Sequence, residues 1–154
     1  MKAVQNNLMK IKSCDSMIKT KQKSLATLTK ELDSVFALYV KLRDCDESGI
    51  VKCFVTGERL WYLDCDAAHF IPRAQMGTRW DEMNVHATSI DTNRFDDNHF
   101  TDYWNALNKA YTWGQIKSLQ QRGRSLQKYM RHEIQDLIYL YTDKVKELKR
   151  VKGL

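Results

Sequence analysis

A short run of polar residues recurs along the middle of the chain in an order suited to hydrolysis of a phosphate ester. Asp66-Ala67-Ala68-His69 closes an apolar stretch, Asn84 follows on a loop, and Asn93, Asp97 and His99 stand at a loop-to-helix junction. A histidine at the end of a hairpin strand can take a proton from water. A hard cation, Mg2+ or Mn2+, can hold the scissile phosphate and its leaving oxygen. A loop asparagine can keep hairpin and loop in register. His69 is therefore the candidate general base, with Asp66, Asp97 and His99 as candidate ligands. A histidine standing alone on a strand is more often structural, so His69 draws its weight from the polar residues at compatible spacing. Asp97 serves equally as a helix cap, and cap and ligand compete. His86 reads as a packing or capping residue.

The elements that must position these groups are sparsely punctuated, with one Pro and six Gly in 154 residues. No Gly or Pro interrupts Val4 to Leu42, and Val4, Ile11, Ile18, Leu25, Leu32 and Tyr39 repeat every seven residues. That predicts one long, partly heptad helix over residues 1–43. Residues 124–154 form a second, basic amphipathic helix, with Ile134, Ile138, Tyr141, Val145 and Leu148 on its seam. The seams suit either an antiparallel hairpin within the chain or a homodimer interface. Between them, residues 44–123 read as a compact core: a β-hairpin turning at Thr56-Gly57, a loop, a helix capped near Asp97, a break at Gly114 and a shorter helix to Gly123. The stripe Tyr103, Trp104, Leu107 and Tyr111 reads as core, with base stacking by Trp104 as the sharper alternative. The fold class is α+β, a small ββα core flanked by long terminal helices.

Charge divides the chain the same way. Residues 1–30 carry a net +6, residues 31–113 a net −6 and residues 114–154 a net +6. Basic arms suit a polyanion, and an acidic centre suits a bound cation, although Lys-rich helix faces are also commonly just solvated. No apolar run approaches the length of a membrane span, and no secretory leader fits the N-terminus, so a cytoplasmic protein is expected. The four cysteines, at 14, 45, 53 and 65, form no CxxC pair, and reduced thiols are expected.

HFIPR (His69 to Arg73), RWDEMNVH (Arg79 to His86) and TNRFDDNH (Thr92 to His99), in this order, resemble blocks of the phage NinG/Rap recombination proteins. The likeness reaches from FALYVKLRD upstream to KVKELKR near the C-terminus. These proteins carry an HNH-like treble-clef nuclease core and act on branched DNA. The resemblance implies His69 as base, Asn84 as the central asparagine and, nine residues on, Asn93 as the last catalytic motif residue. It sets Arg73, Arg79 and Arg94 along the phosphate path. Where the family holds structural zinc on two CxxC knuckles, this chain has Cys53-Phe54-Val55-Thr56 and Ser89-Ile90-Asp91-Thr92. Ser and Thr are poor zinc ligands, so no structural zinc is expected, and the four Trp with the flanking helices are expected to replace it.

The expectation is an Mg-dependent endonuclease specific for branched or single-strand-containing DNA, such as Holliday junctions and D-loops. The alternatives are a DNA-binding module that kept the nuclease shape without its chemistry, and a helical adaptor.

Overall fold

The computed structural model describes residues 22–91 and 99–154. The first helix, α1 (Leu25–Asp44), begins at Ser24, whose hydroxyl accepts the Thr27 amide hydrogen at 3.1 Å. Residues 22–24 are not helical, so the expected unbroken helix from Val4 does not extend into α1. The remainder of that expectation, residues 1–21, lies outside the described residues.

After α1 come a tight hairpin of β1 (Ile50–Lys52) and β2 (Arg59–Trp61), then β3 (Cys65–His69) and β4 (Val85–Ser89). Both pairs are antiparallel. Lys52 faces Arg59 across the first, whose turn needs the positive φ of Gly57; His69 faces Val85 and Cys65 faces Ser89 across the second. Two helices follow, α2 (His99–Ala110) and α3 (Trp113–Arg124), and the last is α4 (Arg131–Lys152). The chain is α+β, as the sequence implies.

Strand alternation separates two cores. Cys65, Ala67, Val85 and Ala87 pack beneath α1 and α4, while Ala68 and the following Phe70 meet Tyr103, Leu107, Ile116 and Leu119 of α2 and α3. The β3–β4 pair is thus sandwiched between two helical layers. On the first side Ile134, Ile138, Tyr141 and Val145 are buried against Leu28, Leu32 and Phe36. Each fully buried aliphatic side chain contributes roughly 1.5–3 kcal/mol.

The two seams do pair within the chain, but in parallel. Arg131 at the start of α4 bonds the Lys23 carbonyl, the Phe36 and Tyr141 rings meet edge-on at 4.8 Å, and Lys152 Nζ donates to the Leu42 carbonyl at 2.7 Å. The crossover through the sheet and two further helices returns the chain to the N-terminal end of α1, which a short hairpin connection could not do. Of the four Trp, only Trp80 is buried; Trp61 and Trp113 are exposed, so tryptophan packing as a group does not carry the core.

The helix break falls at Tyr111–Thr112 rather than at Gly114. Thr112 caps α3, its hydroxyl accepting the Gln115 amide while the Gln115 side chain reaches back to the Thr112 amide. Gly114 therefore sits inside α3 with open space around it. Gly77 is the opposite case. A Cβ there would lie 2.3 Å from the Arg122 carbonyl oxygen and 2.6 Å from Ser125 Oγ, so only glycine lets the loop lie against the end of α3. Gly77→Ala is expected to destabilise the protein by about 2 kcal/mol. Gly114→Ala is expected to stabilise it by about 0.5–1 kcal/mol. Urea unfolding midpoints of the two variants should move in opposite directions.

Candidate active site at the end of β3

His69 ends β3 half-buried, its Nε2 2.9 Å from the Arg79 carbonyl oxygen. A carbonyl only accepts, so Nε2 carries the hydrogen and Nδ1 of the neutral ring keeps its lone pair. This is the tautomer logic that orients a general base. Burial lowers the pKa of the ring. The Arg79 and Ala67 carbonyls and Asp33 oppose that, Arg73 adds to it, and the net value lies below the ordinary 6.5. The ring is therefore neutral at pH 7 and able to accept a proton.

Asn84 holds the loop that supplies this carbonyl. It is fully buried; its Oδ1 accepts from the Ile71 amide at 2.7 Å, and its Nδ2 donates to the Ile71 and Thr78 carbonyls, each at 2.9 Å. One side chain thus ties the exit of β3, the entry to β4 and the residue before Arg79. Arg79 itself faces a different partner. Its Nη2 and Nε bind both oxygens of Asp33 on α1 at 2.6 and 2.9 Å, and Trp80 Nε1 donates to the same carboxylate at 2.9 Å. Burial pushes the Asp33 carboxyl up, but the hydrogen bonds and charge of Arg79 outweigh it and hold the group below its usual range. The guanidinium expected on the phosphate path is engaged in anchoring the loop to α1. Arg73, by contrast, is exposed.

Asp66 lies three residues before His69, about 10 Å along the strand and on its opposite face. It faces Thr88 across the sheet, and the fold does not bring it to His69. Asn93, Arg94 and Asp97 lie outside the described residues, as does the side chain of His99. The head of α2 packs on Phe70 just past the end of β3, Phe70 and Phe100 stacking with ring centroids 5.0 Å apart on the face that Ala68 shares and His69 does not. Each of these rings directly follows a candidate histidine. Among the described residues no group of three His, Cys, Asp or Glu side chains is arranged to hold a metal ion.

Sequence reasoning missed what locks α2 onto the hairpin. His86 is buried on β4, its Nδ1 3.0 Å from Tyr103 Oη and its Nε2 2.8 Å from Tyr111 Oη, with Phe54 stacked on the ring at 3.7 Å. Tyr103 donates its hydroxyl hydrogen to the Ala68 carbonyl at 3.0 Å, so it accepts from Nδ1–H, and Tyr111 donates to Nε2. The two tyrosines stand eight apart, one on α2 and one just past its end, and that spacing is the sequence trace of this network.

Burial drives the His86 pKa down to about 4, with Arg43 assisting and Asp44 opposing. The unfolded chain binds this proton near 6.5 and the folded protein only near 4, so stability is intact above 6.5 and is lost as pH falls toward 4. The loss amounts to about 3 kcal/mol at 1.36 kcal/mol per unit. Urea melts between pH 7 and 4 should show this slope. His86→Gln should remove the His86 share, leaving those of His69 and of the carboxylates Glu82 and Asp33.

On the far side of the hairpin, the turn expected as the first knuckle closes around one sulfur. Cys53 Sγ accepts from the Ser89 amide at 3.3 Å and the Thr56 amide at 3.5 Å, and Thr56 Oγ1 accepts from the Glu58 amide at 3.3 Å. Burial raises the Cys53 pKa, but bonds from Thr56, Ser89 and Val55 bring it below its ordinary value. Among these bonds it is the Ser89 amide to Cys53 sulfur contact that joins the two segments, while the other two brace the Cys53–Glu58 turn itself.

Compared with known proteins, the chain matches the family model described as Bacteriophage Lambda NinG protein over residues 3–151. The protein belongs to the NinG family. As a NinG-family chain it is a phage recombination-related protein, and the match runs through both outer helices as well as the sheet. No curated protein and no solved structure matches it. Among the described residues of this NinG chain, no helix is long and apolar enough to cross a membrane.

Proposed function

We propose that this NinG-family protein is an endonuclease that hydrolyses a phosphodiester of branched or single-strand-containing DNA, with His69 as general base. The observation that carries the reading is the Nε2–H to Arg79 carbonyl bond, which leaves a neutral imidazole with a free Nδ1 lone pair. In the reaction Nδ1 takes a proton from water as its oxygen attacks phosphorus and the bond to the leaving oxygen breaks. Asn84 positions the loop and Arg73 meets backbone phosphate. Arg79 positions His69 through its carbonyl and touches no substrate. Recognition is of DNA shape, since nothing in the chain resembles a base-reading helix.

A divalent cation, Mg2+ or Mn2+, would supply charge stabilisation at the phosphate and leaving oxygen. The described residues alone do not form a donor set for it. Such a set would draw on Asp66, Asn93, Asp97 or His99. Arg94 would lie beside them on the phosphate path. The test is cleavage of a synthetic four-way junction with Mg2+ against the same reaction in EDTA. Metal-independent cutting, or none with Mg2+ or Mn2+, would overturn the reading.

One observation favours a second reading. By strand alternation Asp66 lies on the opposite face of β3 from His69, and the residue directly before the base is Ala68, which offers no donor atom. A chain that binds junctions without cutting them would show steep salt dependence and no product with any divalent metal.

A further inference from the structure

Phe100 and Trp113 are 65% and 63% exposed, and they are the ends of one aromatic row. Phe70 stacks between Phe100 and Trp104, at 5.0 and 5.7 Å, and Trp113 meets Trp104 edge-on at 6.4 Å. Trp113 also opens a stripe on α3, followed by Lys117, Gln120 and Arg124 at helical spacing. Phe100, Gln120 and Arg124 line one groove of about 270 Å³ over Phe70.

Charge selects the occupant. From Tyr103 to His132 the chain contains no acidic residue and six cations. Arg122 is paired with Asp81, whereas Lys117 and Arg124 are exposed and have no ion-pair partner among the described residues. Exposed apolar side chains scattered singly are ordinary, but rings joined in a contiguous row mark an interaction surface. Rings interleaved with cations and an amide match a strand whose bases are unstacked and whose phosphates lie alongside.

We infer that the aromatic row on α2 and α3 is a stacking platform for unpaired nucleobases, with Lys117 and Arg124 on the adjoining phosphates. The platform rests on the DNA reading above and adds how an open branch is told from duplex. Duplex bases are already stacked and cannot use it, while a frayed or single-stranded arm can.

The test is tryptophan-fluorescence and anisotropy titration of the full chain in EDTA, with oligo(dT) and with a blunt duplex of equal length. Oligo(dT) is expected to quench the emission. Trp113→Leu is expected to weaken oligo(dT) binding roughly tenfold while leaving duplex affinity within about twofold, and Trp113→Tyr to restore it. Arg124→Gln should weaken oligo(dT) binding and reduce its salt dependence by about one charge. Duplex binding retained with Trp113→Leu indistinguishable from wild type for oligo(dT) would remove the platform and leave the nuclease reading standing. No binding of either DNA would remove both.

Discussion

His69→Ala is expected to lower the rate of junction cleavage by about 10²–10⁴-fold, the range associated with loss of a positioned general base. The folded state should be little changed, because the half-buried ring is held mainly by its 2.9 Å bond to the Arg79 carbonyl, with the Ala67 carbonyl a weaker neighbour. That separation makes the experiment decisive: circular dichroism and urea midpoint close to wild type, with turnover lost. Equal cleavage by variant and wild type would remove His69 from the chemistry. The pH–rate profile provides a second reading of the same group. Because burial keeps the ring's pKa below 6.5, the rate should be near its plateau at neutral pH and fall only on more acidic titration. His69→Gln, which retains a side-chain donor for the Arg79 carbonyl but has no comparable base, should be as inactive as the alanine variant.

Asn84→Ala is expected to cost about 4 kcal/mol of stability, among the largest effects of any single change in this protein. It removes three hydrogen bonds at 2.7–2.9 Å, leaves the Ile71 amide and carbonyl without those partners beside a fully buried position, and leaves the Thr78 carbonyl only the longer bond from the Asp81 amide at 3.2 Å. Each such loss costs roughly 1–1.5 kcal/mol and unsatisfied buried groups add to it. Asn84→Asp sharpens the test, since it preserves size. It sets an oxygen against two carbonyl oxygens, and a protonated carboxyl can donate to only one of them. It should be as damaging as alanine. If Asn84→Asp melted like wild type, the role assigned to the Nδ2 hydrogens would be wrong. If both variants folded well, the staple would be dispensable.

The legible part of this fold lay where one physical rule acts locally. The seam of α4 was readable because Ile134, Ile138, Tyr141 and Val145 bury a single stripe, and the first hairpin because Gly57 supplies a left-handed turn. β4 was hidden because Val85 to Ser89 are buried on both faces, so no alternation marks them. Gly114 looked like a stop because glycine is a poor helix former, yet the Thr112 capping box starts α3 just before it. The direction of packing between α1 and α4 was not encoded in either seam.

At the candidate site, the identities of His69 and Asn84 could be read from residue type and order, whereas their partners could not. The carbonyl that orients His69 belongs to a residue ten positions away, and the carboxylate that engages Arg79 lies forty-six positions upstream. Local patterning does not report contacts at such separations. His86 was read as a packing residue, and it is one. What escaped notice is that its two nitrogens reach tyrosines seventeen and twenty-five residues onward.

The side-by-side alignment of α1 and α4 has a consequence for biosynthesis. The Leu42–Lys152 bond closes a loop of 110 positions, so Leu28, Leu32 and Phe36 leave the ribosome long before their cover exists. Until the last turns of α4 are made, the nascent chain carries a greasy, unroofed helix, and final collapse must wait for translation to pass Lys152.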